Sequence, residues 1–310
     1  MPDRRVVETL AGDLGTSPGL IEKDWHVVRA LGVIAQVDTA GMMPAFSGGT
    51  SLSKGWELIK RFSEDIDFKV GEPPASSASR ARRERTAYRE RVLEALTGAG
   101  FDLVEEPIVG NASRFFSANL AYHADFEAGR GLRPNIRVEM SFDAPALAPV
   151  ARPIRSLIAA AQHEPHEITS FPCVDPVETA ADKLSALAWR VVARDRGSAK
   201  DDPTIIRHLH DLAALEQYTA PAPRFPELVR AAAAADVGRG GGTAAGDPAA
   251  MFAEMLRRLE TDPSWAREYE EFVRAVSFAG PGKVMDFGNA LAACTRLIAV
   301  AYEMGGGHDG

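Results

Sequence analysis

Between Ser63 and Val70 the chain alternates with a period of two: Ile66, Phe68 and Val70 fall on one side, Asp65, Asp67 and Lys69 on the other. This pattern predicts a strand with one buried and one acidic face. Carboxylates at i and i+2 on a strand point the same way, so Asp65 and Asp67 suit one hard divalent cation, Mg²⁺ or Mn²⁺, that also takes phosphate oxygens. Any fold for this chain must therefore close a core over Ile66 and Phe68 and leave room in front of the two aspartates. A third carboxylate on a neighbouring strand would complete the site. Asn135 to Phe142 also alternates, with Ile136, Val138, Met140 and Phe142 opposing Arg137, Glu139 and Ser141. Glu139 is the best-placed third ligand, and Asp143 is the reserve.

Upstream, Ala45-Phe46-Ser47 reads as a short strand, followed by Gly48-Gly49-Thr50-Ser51 and a helical stretch from Leu52 to Lys60. Gly48 and Gly49 let backbone N–H groups approach phosphate with no Cβ in the way, and Thr50 and Ser51 add hydroxyl donors at a helix start. Together they predict an anion cradle. Lys54 has two readings, a charge for the β or γ phosphate and a solvated helix lysine. Arg61 and Ser63 have the same two.

The first part of the chain mixes strands and helices, including a capped helix that starts at Ser17-Pro18, a loop from Gly71 to Ser79 and a helix from Arg82 to Thr97. After Ile154 the patterns are helical: Pro176 to Val192, Thr204 to Gln217, Phe225 to Ala235, Pro248 to Leu259, Trp265 to Val276 and Asp286 to Tyr302. Two lobes with a cleft are expected, residues 1–155 and 156–310, in an α/β or α+β arrangement. Gly238 to Gly246 is expected to be a mobile loop, since no strand precedes it to make a nucleotide-binding turn.

A net charge of −8 is the wrong sign for a protein that coats nucleic acid, so an RNA partner must meet a local patch. Arg80, Arg82, Arg83, Arg85, Arg89 and Arg91 form the candidate, and a solvated helix face balanced by Glu84, Glu90 and Glu94 is the plain alternative. The first residues precede no apolar stretch and no apolar run reaches membrane length, so a cytoplasmic location with no membrane partner is expected. Cys173 and Cys294 have no zinc or disulfide spacing and read as buried small residues. His163 and His166 read as surface histidines, and the four tryptophans as core.

Order and spacing add to these parts. Phe46-Ser47-Gly48-Gly49-Thr50-Ser51-Leu52-Ser53-Lys54, then Arg61-Phe62-Ser63-Glu64-Asp65-Ile66-Asp67-Phe68, resembles the AbiEii/AbiGii toxin family, which includes the MenT toxins, within the DNA polymerase β-like nucleotidyltransferase superfamily. Ile21-Glu22-Lys23-Asp24-Trp25, Val177 to Leu187 and Arg207-His208-Leu209-His210-Asp211-Leu212 fit the same family, so the likeness runs from about Ser17 to Leu215. The resemblance implies an α+β, bilobed protein: a polymerase β-like nucleotidyltransferase lobe with a small mixed sheet, and a C-terminal helical lobe contributing to the active-site cleft. It implies roles for Thr50 or Ser51, Asp65 and Asp67, then Lys183 and Asp211, then Glu139. Read from their own helices, Lys183 is a solvated lysine and Asp211 a partner of Arg207.

The expected activity is transfer of a nucleoside monophosphate from an NTP to an acceptor hydroxyl. The resemblance implies the 3′ end of tRNA as acceptor, a block of translation, and an AbiEi-like antitoxin. The rivals are nucleotidylation of a protein and a non-catalytic module that binds nucleotide or a partner.

Overall fold

The computed structural model describes residues 1–75, 77–127, 133–199, 201–237, 246–278 and 285–303. The chain divides into two compact units, Met1–Asp175 and Pro176–Gly310. In order, the first contains α1 (Arg4–Leu14), α2 (Pro18–Ile34), β1 (Met43–Ser47), α3 (Gly48–Lys54), β2 (Asp65–Gly71), α4 (Ala78–Gly98), β3 (Asp102–Leu103), β4 (Ile108–Gly110), β5 (Phe115–Ala121), β6 (Ile136–Ser141), β7 (Val150–Ile154), α5 (Leu157–Ala161) and β8 (Ile168–Cys173). One mixed sheet holds the strands in the order β3-β5-β6-β2-β1-β8-β7, with β4 paired to β5.

Register explains the core. Phe46, Phe68, Met140 and Phe116 are successive partners across β1, β2, β6 and β5. Partners on adjacent strands share a face, so these four side chains make one apolar row. Each is at most 2% exposed, and each such burial contributes about 1.5–3 kcal/mol. Val28, Leu31 and Ile34 of α2 and Tyr88, Val92 and Leu96 of α4 belong to the same core. The opposite face of β2 and β6 is left to polar residues.

Ser17 and Pro18 begin α2 as expected, the proline fitting a position whose N–H needs no helical partner. The helix after β1 starts at Gly48 and stops at Lys54, earlier at both ends than the Leu52–Lys60 stretch. Strand β8 lies in the stretch after Ile154 read as helical, and β7 stands just before it. Both contain proline, Pro153 and Pro172, which argues against a strand by removing a ladder donor; β7 tolerates it at the end of the sheet, and β8 pairs with β1 at Phe46↔Cys173 alone. The first unit consequently extends to Asp175 rather than 155.

The second unit is helical in its described residues: α6 (Pro176–Ala193), α7 (Arg207–Thr219), α8 (Phe225–Ala235), α9 (Pro248–Thr261), α10 (Ser264–Val276) and α11 (Phe287–Glu303). Leu184, Leu187, Ala188 and Val191 of α6 and Leu209, Leu212 and Leu215 of α7 are buried, as their helical spacing demands. The Gly238–Gly246 loop lies outside the described residues apart from its last glycine. Among the described residues no helix is long and apolar enough to cross a membrane.

Candidate active site

Ser47, Asp67, Glu139 and Ser117 are successive register partners on β1, β2, β6 and β5. They form the polar counterpart of the apolar row, on neighbouring strands spaced about 4.8 Å apart. Asp65 lies two residues before Asp67 on the same face, and Asp65, Asp67 and Glu139 are all half-buried. Ser117 donates its Oγ hydrogen bond to Glu139 Oε1 at 3.2 Å. Burial, and then the negative charge of Asp65, push the Glu139 carboxyl above its ordinary range. Asp143 stands apart, exposed and facing Arg114 at 3.3 Å.

The glycine bend closes directly on this row. Gly48 has φ +73°, and a Cβ there would lie 2.0 Å from Asp67 Oδ2. Backbone and carboxylate thus share a space that only glycine leaves open. Gly49 backs onto Arg61 and Ser63, where a Cβ would meet Arg61 Nη2 at 2.6 Å and Ser63 Oγ at 2.8 Å.

The hydroxyls of the bend are turned inward, which corrects their expected use. Thr50 is fully buried and its Oγ1 donates to the Asp65 carbonyl, tying α3 to the start of β2. Ser51 is buried beside the Cys173 thiol. Neither side chain is exposed; among bend residues, Gly48 keeps partial exposure. Lys54 is also committed, paired with buried Asp24.

Asp65 carries a cation of its own. Arg133 Nη2 donates to Asp65 Oδ1 at 2.6 Å, Arg133 Nε donates to Glu64 Oε1 at 2.8 Å, and Lys23 Nζ donates to Glu64 Oε2 at 2.5 Å. Glu64, Arg133 and Lys23 had no assigned role from sequence. The available signal was three successive charges, Glu22, Lys23 and Asp24, in a helix that is buried on most of its surface.

Among the described residues no three His, Cys, Asp or Glu side chains converge as a ready metal cage. The acidic row nevertheless fits Mg²⁺ or Mn²⁺ by donor chemistry: hard carboxylate oxygens, with neither thiolate nor imidazole in the row.

In the second unit, Lys183 Nζ and Asp211 Oδ2 meet at 2.9 Å between α6 and α7, so Asp211 takes Lys183 rather than Arg207. Both are buried, and His210 Nδ1 lies 3.3 Å from the other oxygen of Asp211. Burial, then the positive charge of Lys183, hold the pKa of neighbouring His208 well below the ordinary histidine range.

The arginine patch divides along α4. Arg80, Arg82 and Arg83 are exposed, Arg80 with Glu84 at 2.8 Å. Arg85 is no surface contact: it is buried and bound to Glu72 at 2.7 Å. Arg89 is buried on Ser113, and Arg91 donates to the Asp38 carbonyl.

Two carboxylates on a core strand, with a Gly-Gly bend folded against one of them, are the frame of a nucleotidyltransferase. The chain belongs to the AbiEii nucleotidyltransferase toxin family: residues 29–293 match the family described as nucleotidyl transferase AbiEii toxin, type IV TA system. It therefore comes from a toxin–antitoxin system, which brings an antitoxin partner and an NTP substrate. Among solved structures the fold is similar to MenT4, a nucleotidyltransferase toxin from Mycobacterium tuberculosis H37Rv, at 19% identity and a TM-score of 0.53, over 95% of this chain and 99% of that one. Comparison with the curated proteins finds no match.

Proposed function

We propose that this toxin transfers a nucleoside monophosphate from an NTP to the 3′ end of tRNA in the cytoplasm, with pyrophosphate leaving, and so blocks translation. The observation that carries the reading is the closure of Gly48 on Asp67 within the row Ser47–Asp67–Glu139. Asp65, Asp67 and Glu139 would hold Mg²⁺ or Mn²⁺, which supplies activation of the attacking hydroxyl and neutralisation of the leaving pyrophosphate. Gly48 offers backbone to the phosphates without steric cost. Glu139, beside Asp67 on the neighbouring strand, also serves as the local base for the acceptor hydroxyl. In the second unit, Lys183 is the residue read as supplying positive charge in transfer, and Asp211 the residue that orients it. Arg80, Arg82 and Arg83 offer exposed positive charge to the RNA backbone. An AbiEi-like protein is the antitoxin.

The test is incubation of the purified chain with each α-labelled NTP and either total RNA or total protein. Label in the tRNA fraction, absent with Asp67→Ala, is the expected result. Label confined to protein would replace tRNA by a protein acceptor. No label in either fraction would make the chain a non-catalytic binder and overturn the proposal.

A further inference from the structure

Three charged residues follow one another in α2, Glu22, Lys23 and Asp24, and none is more than 2% exposed. Charges stay inside a protein only with partners, and each of these three holds a different segment. Glu22 accepts the backbone N–H groups of Asp125 at 2.8 Å and Phe126 at 3.1 Å. Asp24 accepts the Leu157 N–H at 2.7 Å and pairs with Lys54 of α3. Lys23 donates to Glu64 and to the Arg133 carbonyl, the latter at 2.6 Å.

The Lys23 branch runs on to an aspartate of the acidic row. Glu64 accepts from both the backbone N and the Nε of Arg133, and the other end of that guanidinium reaches Asp65 Oδ1. Charge alternates along the path, positive Lys23, negative Glu64, positive Arg133, negative Asp65. A planar guanidinium held by one carboxylate presents its remaining N–H groups in a fixed direction. Arg133 takes Oδ1 of Asp65 and leaves Oδ2 on the same carboxylate for a cation. Glu64 offsets much of the guanidinium charge, so Arg133 can orient Asp65 without matching the pull of a divalent ion.

We propose that Lys23, Glu64 and Arg133 are positioning residues, a relay running from a buried lysine through two half-buried side chains that sets the Asp65 carboxylate for cation binding. The proposal rests on the reading that Asp65 and Asp67 hold the cation. Loss of the Glu64 charge leaves Arg133 paired with Asp65 alone, in competition with the metal. Loss of Lys23 lets Glu64 and Arg133 shift together.

The experiment is Mn²⁺ binding to the nucleotide-free full chain, followed by electron paramagnetic resonance, with thermal melting alongside. Variants are Glu64→Gln, Lys23→Met, Asp67→Asn and Glu72→Gln. Glu72→Gln breaks another half-buried ion pair of the same unit, to Arg85 at 2.7 Å, outside the relay. Glu64→Gln and Lys23→Met are expected to weaken Mn²⁺ affinity by about tenfold or more, the usual scale for residues that orient metal ligands. Glu72→Gln is expected to lose stability at unchanged affinity. If Lys23→Met does not fold, the isosteric Glu64→Gln decides alone. Affinity within twofold of the parent in Glu64→Gln, or equal weakening in Glu72→Gln, overturns the relay while leaving the cation reading intact if Asp67→Asn loses binding. Unchanged binding in Asp67→Asn sinks the cation reading itself.

Discussion

Replacing Gly48 with alanine tests the contact on which the catalytic reading turns. At φ +73° an L residue costs about 1–2 kcal/mol more than glycine. The added methyl would stand 2.0 Å from Asp67 Oδ2 and 2.9 Å from its Cγ, where real Cβ contacts essentially never come under 3.0 Å. The carboxylate must therefore move by roughly an ångström, and misplacement on that scale costs on the order of 100-fold in rate. Gly15→Ala is the matched control: it has a similar φ of +65° but nothing within 4 Å of the new methyl. Both variants should lose about 1–2 kcal/mol in urea titration, or roughly 2–8 °C in Tm for a unit of this size. Only Gly48→Ala should lose kcat/KM for transfer from labelled NTP, by about 100-fold. A folded Gly48→Ala protein with activity within threefold of the parent would refute the claim that the bend and Asp67 work as one site.

In the second unit, Lys183→Met takes the lysine charge away from a buried carboxylate and should cost about 3–5 kcal/mol in urea titration; adding Asp211→Leu should restore part of it, and both proteins should lack transfer activity. Replacing Arg80, Arg82 and Arg83 together with alanine should weaken tRNA binding and flatten its salt dependence, measured by filter binding across a KCl series, whereas Arg85→Ala should act on stability, measured by thermal melting. His26 is buried against Trp25, Phe101 and Tyr122, and burial, then the charge of Arg29, lower its pKa to about 4 from an ordinary 6.5. The unfolded chain then binds the extra proton between those values, so stability is full above 6.5 and falls as pH drops toward 4. His26→Phe should flatten that acid limb in pH-dependent urea titrations; an unchanged slope would assign it to other groups.

The polar row was legible where alternation carried it. Asp67 and Glu139 each lie between apolar residues that the core needs, and Asp65 stands two residues before Asp67, so their side followed from the alternation. The use of a hydroxyl was not legible: Thr50 and Ser51 look the same in sequence whether they face a ligand or hold the bend from behind. β5 escaped because both of its faces are partly buried, with Ser117 and Ala118 adjacent and covered. Arg85 and Arg89 were counted in the exposed patch although their burial was readable. Arg85, Tyr88, Arg89, Val92 and Leu96 recur at helical spacing, which puts the two arginines on the buried face of α4, where Glu72 and Ser113 receive them. The relay from Lys23 to Asp65 joins residues 23, 64 and 133, and no local pattern announces pairing across such separations.

The late strand β8 has a practical consequence for anyone dissecting this toxin. It lies beside β1, whose Phe46 carbonyl accepts the Val174 N–H at 2.8 Å just before the bend. A recombinant fragment stopped at residue 155 would strip that flank and leave backbone donors and acceptors bare beside the Gly48–Gly49 bend. Uncovered strands of this kind recruit one another, so such a fragment should self-associate, while one carried through Asp175 keeps its flank shielded.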